Sequence, residues 1–165
     1  MSGWANRPAE ERALFNPSFC ACLIWQAASG YESVVNLSLP FDITFLVLPI
    51  VLHQQVRDSL PKTTATSLVV WLNANQLSWA HISEGTRTLA PFTKEAIIFG
   101  GVHQLYWLGN GRVTSNAKMK KTIATSLIDT SDEVRACAKR AYFVGKWLAH
   151  AGDATTVMAI IGVRP

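Results

Sequence analysis

Apolar residues recur at helical spacing through most of the chain, and the breaks between runs carry recognisable start and stop residues. Asn16-Pro17 is a start signal, because an asparagine side chain accepts from free N–H groups and proline suits the first helical position. Over 18–29 the expected helix is apolar nearly all round. Phe19, Cys22, Leu23 and Gln26 lie on one face, and Ala21, Ile24, Trp25 and Ala28 fill another, a pattern that marks an enclosed helix. Gly30 reads as its C-terminal stop. Asp42 is expected to cap a helix over 43–59, with a kink or restart at Pro49, where a backbone hydrogen bond is lost. Leu60-Pro61 closes that element. A third helix is expected over 65–73 and a weaker one over 77–89, interrupted by Gly85. A stronger helix over 94–104 opens at Pro91 or Thr93.

The period changes after residue 104. Two short β-prone runs, 105–108 and 112–114, flank Gly109-Asn110-Gly111, and Asn-Gly between such runs predicts a hairpin. A short basic stretch, 116–121, follows. Thr130 or Ser131 then caps a long helix to about His150, with Asp132 and Glu133 favourably placed at its positive end. That helix carries a stripe of small and apolar residues. Residues 154–161 form a last apolar segment, helix or strand. Helices followed by a hairpin have the layout of a winged helix. The expected fold is therefore mainly α, a winged-helix-like helical domain with a small β-hairpin (wing) and a long C-terminal helix. Residues 1–16 read as an N-terminal arm and 17–165 as a single domain.

Composition sharpens this picture. Of 165 residues, 49% are hydrophobic and only 16% charged, against about 25% charge in ordinary soluble domains. Such a chain is not intrinsically disordered. The shortage of charge points to surface reserved for partner subunits, expected on the helices over 18–29 and 134–150. The longest apolar run, 45–52, falls well short of the roughly 20 residues a membrane-spanning helix needs. With no signal-peptide pattern at the N-terminus, the expected compartment is the cytoplasm. Cys20, Cys22 and Cys137 lack the spacing of a thiolate metal site and read as free thiols.

The chemistry-bearing residues are sparse. No phosphate-binding loop and no His-Glu-x-x-His motif occurs, so neither a catalytic site nor a cofactor nor a metal is expected. His53, beside Arg57 and Asp58, is the one histidine with a case for chemistry. Arg112 on the wing, with Lys118, Lys120 and Lys121 after it, forms a candidate nucleic-acid surface that would add sequence-independent phosphate contact. Base readout is not expected, because Lys94 is the only cation on the preceding helix and Glu95 opposes it. Trp4, Phe15 and Phe19 sit in or beside the arm. They either fold back over the core or dock on a partner, as aromatics do at interfaces.

Several strings together resemble a known family. They are Trp4-x-x-Arg7-Pro8-x-Glu10, Leu14-Phe15-Asn16-Pro17-x-Phe19-Cys20, and Pro40-Phe41-x-x-x-Phe45-Leu46-Val47-Leu48-Pro49-x-Val51-Leu52-His53. Leu60-Pro61 with Thr63, Thr64, Thr66 and Ser67 continues the pattern, as do Thr93-x-Glu95-Ala96, Ala151-Gly152 and Gly162-Val163-Arg164-Pro165. The chain resembles the middle components of three-component ABC systems, including Lamassu-type systems. The resemblance implies a small non-catalytic subunit between an SMC/Rad50-like ATPase and an effector, often a nuclease, in bacterial defence against phage and plasmids. DNA is expected as a partner through the complex and no membrane partner is expected; the alternative reading is a DNA-binding winged-helix protein acting as a repressor or as the DNA-contacting subunit. Arg164, in the closing motif, joins Trp4, Phe15 and Phe19 as a candidate partner contact.

Overall fold

A nineteen-residue helix, α2 (Pro17–Val35), runs through the middle of the molecule in a computed structural model that describes residues 6–164. Its start is as expected: Asn16 accepts from the N–H groups of Ser18 and Phe19, and Pro17 occupies the first turn. Its end is not. The helix passes through Gly30 and stops at Asn36, which is left-handed with φ 53°. Gly30 is a packing position, since a Cβ there would lie 2.1 Å from the Tyr142 carbonyl oxygen. That oxygen belongs to α9 (Asp132–Ala149), capped by Ser131 as expected. Gly145 of α9 is the reciprocal position, where a Cβ would lie 1.9 Å from the Ala27 carbonyl oxygen. The two backbones thus touch at two glycines. Small residues permit this approach, and it buries Ala27, Ala28, Cys137, Ala138 and Ala141. Much of the surplus apolar surface assigned to these helices is therefore spent on their own contact.

The Pro49 helix does restart. α3 (Thr44–Leu52) contains Pro49 and ends at His53, and α4 (Gln54–Ser59) follows at once. Arg57 secures the break. Its guanidinium donates to the Val51 carbonyl at 2.7 Å, lies 3.4 Å from Cys137 Sγ, and donates to Glu133 of α9. α5 (Leu68–Ala74) and α6 (Gln76–Thr88) come next. Gly85 does not interrupt α6. It makes room for the ring of Pro49, whose Cβ lies 2.9 Å from where a Gly85 Cβ would stand. α7 (Ala90–Val102) starts with Pro91 in its first turn.

The hairpin pairs β2 (Tyr106–Gly109) with β3 (Arg112–Ser115). Asn110 and Gly111 both take positive φ, 52° and 67°, the backbone that a two-residue turn of this hand requires. A two-residue strand that the pattern gave no sign of, β1 (Leu39–Pro40), pairs with the far side of β3, giving the order β1-β3-β2. Past the hairpin, the stretch read as a basic loop contains a 3₁₀ turn (Ala117–Met119) and a helix, α8 (Lys120–Ile128). α10 (Ala154–Ile161) resolves the last segment as helix, capped by Asp153, so α9 is the longest late helix but not the final one. The result is mainly helical with a small three-stranded antiparallel sheet.

The described part of the arm lies on α7. A short helix, α1 (Ala9–Leu14), forms there. Arg7 reaches Glu95 through two bonds of 2.5 and 2.9 Å, and Phe15 stacks on Phe92 at 4.2 Å. Three buried tryptophans and the half-buried Trp79 pin chain segments together. Trp25 donates to Asn116 O at 3.1 Å, and Trp71, Trp79 and Trp147 donate at 2.7 Å to Ser59, Ile161 and Thr66 carbonyls. Each ring is apolar bulk with one polar handle, and each handle finds a backbone acceptor.

Candidate functional site

The basic residues come from both ends of β3. Arg112 opens the strand beside the turn, and its guanidinium donates to the Ser38 carbonyl at 2.6 Å. Lys118 lies in the 3₁₀ turn held by Asn116, whose side chain accepts from the Lys118 N–H at 3.1 Å. Lys120 and Lys121 open α8, and all three lysines are exposed. The structure therefore gathers the lysines on one short segment. Arg112 stands at the far end of the strand, about 10 Å of extended backbone away. Lys120 and Lys121 sit at the positive end of a helix, where cations do not help the helix itself.

The aromatic set divides. Trp4 lies outside the described residues. Phe15 is half-buried in its stack on Phe92. Phe19 is half-buried and lines a groove of about 650 Å³ with Leu14, Leu127 and Val134, where Cys22, Cys137 and Glu133 also face. Burial in apolar surroundings holds all three thiols in the neutral form; Cys20 is pushed up to about 12, and Cys22 and Cys137 are raised too. A neutral buried thiol is a poor nucleophile.

Arg164 borders a second groove, of about 740 Å³. Its apolar lining includes Phe41, Phe45, Met158 and Val163, while Arg87, Lys94 and Arg164 supply positive charge against the single carboxylate of Asp42. Phe41 and Phe45 meet edge to face with ring centroids 5.6 Å apart. The first groove is bordered by one carboxylate and the second by three cations, so they differ in the partner chemistry they favour.

His53 lies in neither. Its ring stacks on His81 of α6 at 4.2 Å, and its Nδ1 is buried without a hydrogen-bond partner. Burial first, and then the neighbouring His81, hold its pKa below the usual histidine value. Among the described residues no carboxylate hydrogen-bonds to the ring, as a partner orienting a general base would, and Arg57 is turned away toward Val51 and Glu133. Among the described residues no group of three or more His, Cys, Asp or Glu is placed to hold a metal, and no helix is long and apolar enough to cross a membrane.

One region had no place among the residues singled out from sequence. Ile98 and Val102 on α7 are 65% and 73% exposed, and Trp107 and Leu108 on β2 are 54% and 48% exposed. Unlike the buried indoles of Trp25, Trp71 and Trp147, Trp107 is about half in solvent. A signal was present: residues 96–111 contain no Asp, Glu, Lys or Arg.

No curated protein and no solved structure matches this chain. One family profile does, and it spans nearly the whole length from the Trp4 motif to the closing Gly-Val-Arg-Pro. On that match over residues 4–165, the chain belongs to the family described as ABC-three component (ABC-3C) system Middle Component 3.

Proposed function

We propose that this chain is a non-catalytic cytoplasmic adaptor that bridges an SMC/Rad50-like ABC ATPase and a nuclease-like effector in a Lamassu-type system of bacterial defence. Its family membership supplies the context of a multi-component assembly. The observation that carries the bridging reading is the pair of grooves built from different elements. The first lies between the start of α2 and the α8–α9 region, and the second between the β1–α3 junction, α6–α7 and the end of α10. Each is large enough to take several side chains of a partner. Their different charge lets each select its own partner.

The test is co-purification of the tagged full chain with the products of its neighbouring genes. Phe19→Glu should release one partner, and Arg164→Glu combined with Phe41→Glu should release the other. Failure of both to change either association, or a chain that co-purifies with neither product, overturns the bridge.

A second reading, contact with DNA, is favoured by the lysines at the start of α8. The sheet order β1-β3-β2 behind a run of helices also supports the winged-helix assignment. On this reading Lys118, Lys120 and Lys121 contact phosphates. Their triple change to Glu should then reduce the affinity of the complex for duplex DNA and flatten its salt dependence. Unaltered binding at low salt rejects the reading.

A further inference from the structure

We propose that the groove beside Arg164 docks an acidic peptide segment of a partner subunit, which sets a large apolar side chain against Phe45 and Met158 and carboxylates on the basic rim. This deepens the reading of the chain as a subunit of an assembly, on which it rests, by naming the chemistry of one partner. The floor of the groove is apolar. Met158 and Val163 are buried there, and the edge-to-face rings of Phe41 and Phe45 line the same space. Met158 brings a flexible thioether, which adapts its shape to an entering side chain.

The rim carries positive charge that the fold itself does not use. Its cations come from three places: Arg87 on α6, Lys94 on α7, and Arg164 after the end of α10. All three are exposed. The side chains of Lys94 and Arg164 meet no carboxylate among the described residues. Arg87 touches only Glu84, at 3.4 Å with both groups in solvent, a pair worth little. Glu95, next to Lys94 on α7, is already held by Arg7 through its two bonds. Asp42 is the one carboxylate lining the groove. The excess of cations therefore awaits negative charge from outside, and no internal ion pair of value has to break to receive it.

The interior favours a peptide over a small ligand or a nucleic acid. Thr86 is the buried polar side chain of the lining, and its hydroxyl already donates to the Ile82 carbonyl at 2.7 Å. Recognition is thus left to apolar contact on the floor and charge at the rim, the anatomy of protein contacts. A phosphate backbone would leave the apolar floor unfilled and would meet Asp42. Both walls are also fixed in advance. On one side Phe41 N–H donates to Gly111 O at 2.8 Å, and the Thr44 hydroxyl donates to Phe41 O at 2.6 Å. On the other, Trp79 and Ser83 donate to Ile161 O at 2.7 and 3.0 Å. Gly162, with φ 82°, then turns the chain so that its own N–H and that of Val163 return to Met158 O at 3.0 and 3.1 Å. A bound segment has to order itself but not the groove.

The test is selection from a random dodecapeptide phage library on the immobilised full chain, followed by fluorescence anisotropy with the most enriched peptide carrying a fluorescein label. The expected sequences hold an aromatic or long aliphatic residue flanked by Asp or Glu. Their affinity should fall as salt rises from about 50 to about 300 mM. The combined change Arg87→Glu, Lys94→Glu and Arg164→Glu should weaken binding about tenfold or more. Asp42→Asn should tighten it about two- to fivefold by removing the opposing charge, a gain that damage to the fold would not produce. The proposal is overturned if no peptide or only neutral and basic peptides are enriched, or if the triple change leaves binding intact. Weaker binding by Asp42→Asn overturns it too. A labelled DNA duplex whose binding depends on the same three cations, with no acidic peptide selected, assigns the groove to nucleic acid instead. The selection uses this chain alone, so it separates the two readings. A chain that co-purifies with neither neighbouring product yet selects acidic peptides loses the bridge and keeps the site. One that bridges both and selects none keeps the bridge and loses the site.

Discussion

The α2–α9 seam and the α7–β2 edge are both apolar and nearly free of charge, yet one is sealed and the other open. At the seam, glycines and alanines bring two backbones into contact, so along the contact itself little side-chain area is left over. At the edge, the side chains are large, and four of them lie about half or more in solvent. Hydropathy does not separate the two regions; side-chain size does. Small residues let the chain close upon itself, whereas bulky residues on an edge strand leave area for something else.

The sharpest way to break the comparison is at the seam. In an exposed helix Gly→Ala gains about 1 kcal/mol. Gly145→Ala should instead cost about 3 kcal/mol or more, because its Cβ would press on the Ala27 carbonyl and neither backbone can move independently. Urea denaturation measures this, and a neutral result would show that the two helices are not in backbone contact. Arg57→Met is the next largest. It removes the donor that satisfies the buried Val51 carbonyl and the link to Glu133, an expected loss of about 1–3 kcal/mol. Glu133→Gln should cost much less, because its carboxylate is 62% exposed.

His53, at the α3–α4 break and stacked on His81, gives a pH test. Its folded pKa is lowered from 6.5, so the unfolded state binds the proton more readily. Its contribution is fully present above pH 6.5 and is lost as pH falls toward and below the folded value. The denaturation midpoint should therefore decline on acidification from pH 7 to pH 5, and His53→Gln should remove part of that slope. The smallest stability effect belongs to the edge. Trp107→Lys should change the unfolding free energy of the chain by no more than about 0.5 kcal/mol. A large loss would mean that the indole is integral to the fold and the two regions are alike after all.

Local signals were legible in the sequence because they need no distant partner. Asn16-Pro17, Ser131 and Asn110-Gly111 act within a few residues, and each does what its chemistry predicts. Gly30 and Gly85 were misread as breaks. A glycine that ends a helix and one that admits a neighbour look identical until Tyr142 and Pro49 are placed. β1 was invisible because two residues carry no period, and they become a strand only by pairing with Arg112 and Val113. α8 was missed because only Ile123 of its residues is buried. The cations could be named but not arranged: the lysines of α8, Arg112 and Arg164 fall in three separate settings. Arg87 and Lys94 join Arg164 only through the packing of three helices.

The seam also sets a schedule for synthesis. α2 is complete at Val35, but its covering helix does not begin until Asp132. At about 5–20 residues per second, that interval of roughly 100 residues lasts about 5–20 s. For that time a helix apolar on nearly every side has been translated and its shelter has not. The nascent chain is thus most exposed to aggregation, and most in need of chaperone cover, before α9 emerges from the ribosome.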